Sequence, residues 1–326
     1  MKRTCLLFFV MCFLAGSVFA ATIDTFRYGS GTFLDVDPWE NGGPTSGNWT
    51  GTSSSDEIKF TYDDTVCTVD ADSGVYVYKA AFAAGNAGTA PTLQIVDGGS
   101  LTLGEVKFGD GGATSRGKEG IGIQTGGTFT VGDLELGYKA GGIGYYTISG
   151  GTLTYSGNGR IKLGAEGADG ATGNLTVVGN AASIMMKDLY VGEYGGDAGT
   201  GNLEFQIGAA GVSAVQLNDD FVIDGGGEDS VANLLLSAMA PLAAADILLV
   251  HNTGSKAVVG IFDTMNGGSA AEGTTIALGG NMYSLTYVYD ADSDSALNDL
   301  ALVYIPEPAT MVLLGLGGLL AIRRKR

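Results

Sequence analysis

Apolar and polar residues alternate along most of the chain. The pattern sets in near Glu57, with Ile58, Phe60 and Tyr62, then Val66 and Val69, then Val75 and Val77. A period of two sends successive side chains to opposite faces and predicts half-buried β-strands. Farther on, the strands recur as an internal repeat. VKFG at 106–109, LELG at 134–137, IKLG at 161–164 and LYVG at 189–192 share the pattern apolar-x-apolar-Gly, with glycines 28, 27 and 28 residues apart. FVID at 221–224 reads as a fifth, degenerate copy after an interval of 32. A second element appears as GGSLTL (98–103), GGTFTV (126–131) and GGTLTY (150–155). A third appears as GYYTI (144–148), GNLTV (173–177) and GNLEF (201–205).

Each period of about 28 residues therefore holds three short strands joined by Gly-containing turns. Three strands cannot close a core alone, but successive periods can stack. The fold expected is all-β: a right-handed parallel β-helix, or β-solenoid, of three-strand coils with three sheets around an apolar interior. Glycine supplies positive φ at the corners. A propeller blade is longer than this period, and a sandwich needs no repeat. Residues 110–120 and 166–173 read as loops projecting from one corner.

Residues 1–20 have the form of a secretory signal peptide, with Lys2 and Arg3 ahead of an apolar run from Leu6 to Leu14. Val18-Phe19-Ala20 fits the small-residue rule, placing cleavage between Ala20 and Ala21. Residues 21–60 look irregular and are expected to cap the open end of the solenoid, with Trp39 and Trp49 closing it; a sugar-stacking platform is the alternative reading. Residues 61–230 carry the repeats, and 231–305 form C-terminal β coils or a cap. In that last region the run around Asn233 is open to either helix or strand.

Residues 306–326 differ in kind. Pro306-Glu307-Pro308 precedes an apolar span at 309–322, containing Ala309, Leu313, Leu314, Leu316, Leu319 and Ile322. The basic tail Arg323, Arg324, Lys325, Arg326 follows and would stay on the cytoplasmic side. At 14 residues the span is shorter than the roughly 20 that cross a bilayer as a helix. Flanking residues and snorkelling arginines must make up the difference.

Composition narrows the function classes. Glycine reaches 55 of 326 residues with only 6 prolines, which excludes collagen, and the 45% apolar content with regular alternation excludes simple disorder. The formal charge is −18. Six of the 17 basic residues sit at the two ends, leaving 11 against 34 acidic residues between 21 and 305. Such a surface repels nucleic acid, so no nucleic-acid role is expected. Cys5 and Cys12 lie in the leader, so Cys67 would be unpaired in the processed chain and reads as a buried small residue.

The proline-glutamate-proline tripeptide, the Gly-interrupted apolar span (GLGG at 315–318) and the basic tail closely resemble the PEP-CTERM sorting domain of exported envelope proteins. The resemblance implies recognition of the tripeptide by exosortase, a membrane-embedded cysteine transpeptidase that removes the anchor. Membrane attachment would then be transient, with a final place in the envelope, at the surface or outside the cell. It also implies an association with exopolysaccharide, a candidate partner. The region 30–305 resembles the β-helices built from autotransporter-associated repeats. That likeness rests on Trp39, the GNW at 47–49, the GGT(L/F)T elements and the closing runs at 257–260, 283–289 and 300–303.

Candidate chemistry is sparse. His251, the only histidine, lies on an apolar run and reads as a core or strand-end residue, without the partners a zinc site needs. Asp290, Asp292 and Asp294 alternate as in a calcium loop, but Ser295 and Ala301 stand where its Gly and Glu would be; Asp70 and Asp72 are a weaker version. Asp219, Asp220 and Asp224 are the nearest approach to a hydrolase carboxylate cluster. Neighbours on a strand face opposite ways, so Asp219 and Asp220 are not expected to reach one cleft unless a bulge intervenes. No enzymatic activity, cofactor or metal is expected. The sequence points to an exported structural or adhesive protein, with a polysaccharide-binding or polysaccharide-degrading β-helix as the alternative. A groove lined by three or more carboxylates and aromatics would favour the alternative.

Overall fold

In an in-register stack each apolar position meets its own counterpart one coil away, and this repetition builds the core. A computed structural model describes residues 23–26, 31–32, 57–60, 65–82, 90–110, 119–164, 170–194, 197–223, 230–292 and 297–306. Among these residues the protein is all-β with no helix, a solenoid of stacked coils of about 28 residues. Strands alternate between a 14-stranded and an 11-stranded sheet, and through the body of the solenoid each pairs in parallel with its counterpart one coil on. Coil length varies with the turns. Ser100 meets Thr128, Thr128 meets Thr152, and Gly151 meets Ala182.

In Ser100–Phe108, Thr128–Leu136 and Gly151–Leu163 the GGT(L/F)T-type element runs straight into the apolar-x-apolar-Gly element as one strand. In later coils the two separate, as Ala182–Met186 and Asp188–Val191, yet stay in the same sheet, so there are two sheets rather than three. Ser100–Phe108 buries Leu101 and Leu103, then shifts phase at Gly104 and Glu105 to bury Val106 and Phe108. The phase shift marks a corner, yet pairing with Thr128–Leu136 runs through it without a break. One bent strand thus supplies two walls.

Apolar columns fill the interior. Val106, Leu134, Ile161, Leu189 and Phe221 follow one another in register, all fully buried. Phe60, Phe82 and Phe108 stack with ring centroids 4.2 and 4.8 Å apart, close to the spacing between neighbouring strands. On the other sheet Cys67, Leu93, Gly122, Tyr146 and Leu175 form a column. Gly122 is the gap that seats Tyr146, because a Cβ there would lie 2.3 Å from the tyrosine ring. The Tyr146 hydroxyl donates to Gln124 Oε1 at 2.7 Å, and Gln124 Nε2 donates to Thr152 O at 3.0 Å. A polar pair inside the core is thereby satisfied.

The repeat glycines do what their pattern suggests. Gly137 and Gly164 have φ of +72° and +67°, and a Cβ at either would strike the backbone of Thr172 or Thr200 within 2.4 Å. The intervening segments 111–118 and 165–169 lie outside the described residues.

The stack begins earlier than the alternation predicts. Ile23–Phe26 pairs in parallel with Glu57–Phe60, and Gly31–Thr32 with Val66–Val69, so the stretch taken as irregular contributes a coil. At the other end, Val231–Ala238 is a strand in parallel register on Asp197–Ile207, which resolves the helix-or-strand ambiguity at Asn233. Beyond it the chain reverses. Asp299–Ile305 runs antiparallel between Ile247–Asn252 and Asn281–Tyr289, and Thr275–Leu278 forms the outer edge.

Candidate functional site

The densest charge lies on the outer face of the long bent strands. Their inward residues are apolar, so the outward ones line up in rows. One row runs Lys79, Glu105, Asp133, Arg160, Asp188 and the next Lys107, Glu135, Lys162. Neighbours in a row are about 4.8 Å apart by strand spacing alone, so their signs matter. Most neighbours are opposite in sign, and Glu105 beside Asp133 is the like-charged exception. Lys79 and Lys107 bracket Glu105 at 3.0 and 2.9 Å. Lys107 and Lys162 bracket Glu135 at 3.4 and 2.6 Å. Arg160 holds Asp133 with both Nη2 (2.6 Å) and Nε (3.0 Å). Lys107 also sits 3.2 Å above the Tyr138 ring.

Glu135 and Lys162 are buried, each 3% exposed, although they face away from the apolar core. Burial raises the Glu105 carboxyl, but hydrogen bonds from Lys107 and Lys79 outweigh it and hold the group below its ordinary value. Burial likewise works against a charged Lys107, and the Glu135 charge together with the hydrogen bonds to Glu105 and Tyr138 overcomes it, so its ammonium is held above its usual range.

Between these rows lies a groove of about 480 Å³. Glu105, Asp133, Glu135, Arg160 and Lys162 line it, with Tyr78 and Asn158. Asn158 belongs to the irregular stretch of Gly151–Leu163, where register shifts between Tyr155 and Arg160. Gly104 and Gly132 also line the groove; a Cβ on Gly132 would lie 2.1 Å from Gly104 O, so the backbones approach closely there. Chemically the groove offers hydroxyl, amide, carboxylate and cationic groups beside one aromatic ring, a surface suited to polyols. Glu105, held ionised, is poorly placed to donate a proton near neutrality.

The candidates read from sequence lie elsewhere. Asp219 and Asp220 do converge, contrary to expectation, because they occupy the turn before Phe221–Ile223 rather than the strand itself. Both reach Lys256 Nζ, at 2.5 and 2.9 Å, and Asp219 also meets Lys187 at 3.1 Å. Hydrogen bonds from the two lysines lower the Asp219 carboxyl. Buried Asp188 joins them, with oxygens of all three carboxylates within 4.8 Å of one another, and its carboxyl is raised by burial. Within this cluster Lys187 pairs with Asp188 and Asp219, and Lys256 with Asp219 and Asp220. Asp224 lies outside the described residues.

His251 is half-buried on Ile247–Asn252, with Nε2 3.7 Å from Asp292 Oδ2. Asp290 and Asp292 sit in a turn tied down by Asp299, whose Oδ2 accepts from the Ala291 amide at 2.8 Å; Asp294 lies outside the described residues. Asp70 is exposed, and Cys67 is a fully buried free thiol. Trp39, Trp49, Ala20 and Ala21 lie outside the described residues, as do residues 307–326. Pro306 is described, exposed, and follows directly on the strand Asp299–Ile305.

Sequence reading missed a ladder on the 11-stranded sheet. Asn233 donates to Asn202 Oδ1 at 2.9 Å, Asn202 to Asn174 Oδ1 at 2.8 Å, and Asn174 to Gly144 O at 3.1 Å. Thr264 Oγ1 closes it on Asn233 Oδ1 at 2.7 Å. The available signal was the asparagine shared by GNLTV, GNLEF and the ANL at 232–234.

Residues 305–326 match the PEP-CTERM protein-sorting motif. No curated protein and no solved structure matches the chain. The motif implies an exported, envelope-associated protein processed by exosortase. Among the described residues no helix is long and apolar enough to cross a membrane; the span at 309–322 lies outside them.

Proposed function

We propose that the protein is a structural or adhesive component of the cell envelope, surface or extracellular matrix, delivered through its C-terminal sorting motif. The signal peptide exports it, the apolar span holds it until exosortase acts at Pro306, Glu307 and Pro308, and the solenoid is the cargo. The observation that supports a non-enzymatic cargo is the pairing in the charged groove. Glu105, Asp133 and Glu135 each carry a lysine or arginine within 3.4 Å, where a hydrolase would need one raised acid and one available base.

A second reading, polysaccharide binding, is favoured by the groove itself, with its three carboxylates, two cations and Tyr78. Both readings meet in one experiment. Residues 21–305 are passed over the producer's own exopolysaccharide across a series of salt concentrations. Retention that weakens with salt supports adhesion through charged contacts. No retention at any salt concentration overturns adhesion to that polymer, and release of reducing sugar overturns the non-enzymatic reading.

A further inference from the structure

The chain leaves its folded body beside an uncharged apolar corner. Met239, Pro241, Leu242, Ala243, Ala244 and Ala245 form the connection between Val231–Ala238 and Ile247–Asn252. All but the half-buried Leu242 are exposed, Met239 at 51%. The turn one coil earlier adds exposed Ala209 and Ala210, and together they shape an apolar recess with Leu242 and Ala243. In a chain of net charge −18 this is a run of seven residues, 239–245, without a charge.

The corner is bonded to the exit point. Tyr283 Oη donates to Ala243 O at 3.0 Å, and Asn281 Nδ2 donates to Leu242 O at 2.8 Å. The Tyr304 amide donates to Asp246 Oδ1 at 2.8 Å, and Ile305 pairs with half-exposed Met282. Asp246, the carboxylate bordering the corner, is engaged by that amide and by the Tyr289 hydroxyl at 3.1 Å. The apolar span starts at Ala309, four residues after Ile305. Four residues reach at most about 14 Å when extended, so no long leash separates body from bilayer.

We propose that, while the C-terminal span is inserted, the 239–245 corner rests on the bilayer surface and orients the solenoid there. This builds on the anchoring reading above. An uncharged corner of small residues, Leu and Met can settle at the headgroup boundary, whereas the acidic remainder is repelled from anionic lipid. The corner so placed presents the cap, with the tripeptide beside it, to a membrane-embedded processing enzyme.

The test uses the chain without its leader, residues 21–326, in which Cys67 is the one native cysteine. It is reconstituted in phosphatidylcholine vesicles with an environment-sensitive fluorophore on Ala243→Cys or, as a control on the groove face, Asn158→Cys. Cys67 is fully buried and leaves the introduced thiols selectively labelled. Co-flotation with vesicles reports anchoring, and quenching by lipids brominated high in the acyl chain reports contact. Flotation with loss of fluorescence at 243 and little at 158 is the expected result. Flotation with equal or no quenching at both sites overturns the inference and leaves anchoring intact. A change at 243 that grows with protein concentration and ignores the brominated lipid assigns the corner to a second copy, and overturns it too. Failure to float overturns the anchoring reading and this inference with it.

Discussion

The two outer faces of the solenoid meet one geometric demand in opposite ways. Parallel in-register stacking sets each residue beside its counterpart one coil away. On the 11-stranded sheet that neighbour can be identical, because an amide is donor and acceptor at once; Asn174, Asn202 and Asn233 link head to tail. On the long bent strands a charge beside its own kind costs stability, so opposite signs mostly meet, and where Glu105 adjoins Asp133 each has its own lysine or arginine. There the repeat varies its outward residues from coil to coil, giving Lys107, Glu135 and Lys162 in sequence. Repetition stabilises the first face, and departure from repetition stabilises the second.

The charged face is the more fragile. Glu135→Ala leaves buried Lys162 and partly buried Lys107 facing each other, and is expected to cost about 3–5 kcal/mol in denaturant-monitored unfolding. A loss no larger than that of an exposed ion pair would show that solvent reaches this face. Asn202→Asp keeps an acceptor for Asn233 but sets a carboxylate against Asn174 Oδ1, whose amide is committed to Gly144 O. About 1–3 kcal/mol is expected, with no relief from high salt. Unchanged stability would remove the ladder's claim.

The smallest effect is the acid response of Glu105. Its folded carboxyl lies below the ordinary 4.5, so the contribution is complete above that value and is lost as pH falls through the lowered one. Glu105→Gln is therefore expected to flatten the acid limb of the melting-temperature profile below 4.5. The difference should stay under about 1 kcal/mol because the site is partly solvated. Parallel acid limbs would place the proton uptake elsewhere.

The interior of this fold was legible because inward positions obey a two-residue period and end on glycine. Even the degenerate copy at Phe221 lies where its interval of 32 places it, paired with Leu189. The outward residues were harder to read. Glu105, Asp133 and Arg160 each stand four residues before a repeat glycine, so the spacing already made them neighbours. Spacing does not tell that the chain bends at Gly104 and Gly132 and gathers these side chains around one groove. The rule that neighbours diverge misled at Asp219 and Asp220, since it holds for strands and these residues occupy a turn. Ile23–Phe26 escaped notice because a four-residue strand, isolated from the repeat, carries too few alternations to stand out.

The reversal of strand direction at the C-terminal end also bears on polymerisation. A parallel solenoid cut square would offer its last rung as a template for the first coil of another molecule, and filaments could grow head to tail. Here that rung is taken by antiparallel Asp299–Ile305 and Asn281–Tyr289, and the sheet finishes on a strand of four residues, Thr275–Leu278. An arriving coil finds the wrong polarity and a short edge. The cap thus gives the sheet an end unlike its body, a geometry that disfavours head-to-tail growth of a sequence built for stacking on itself.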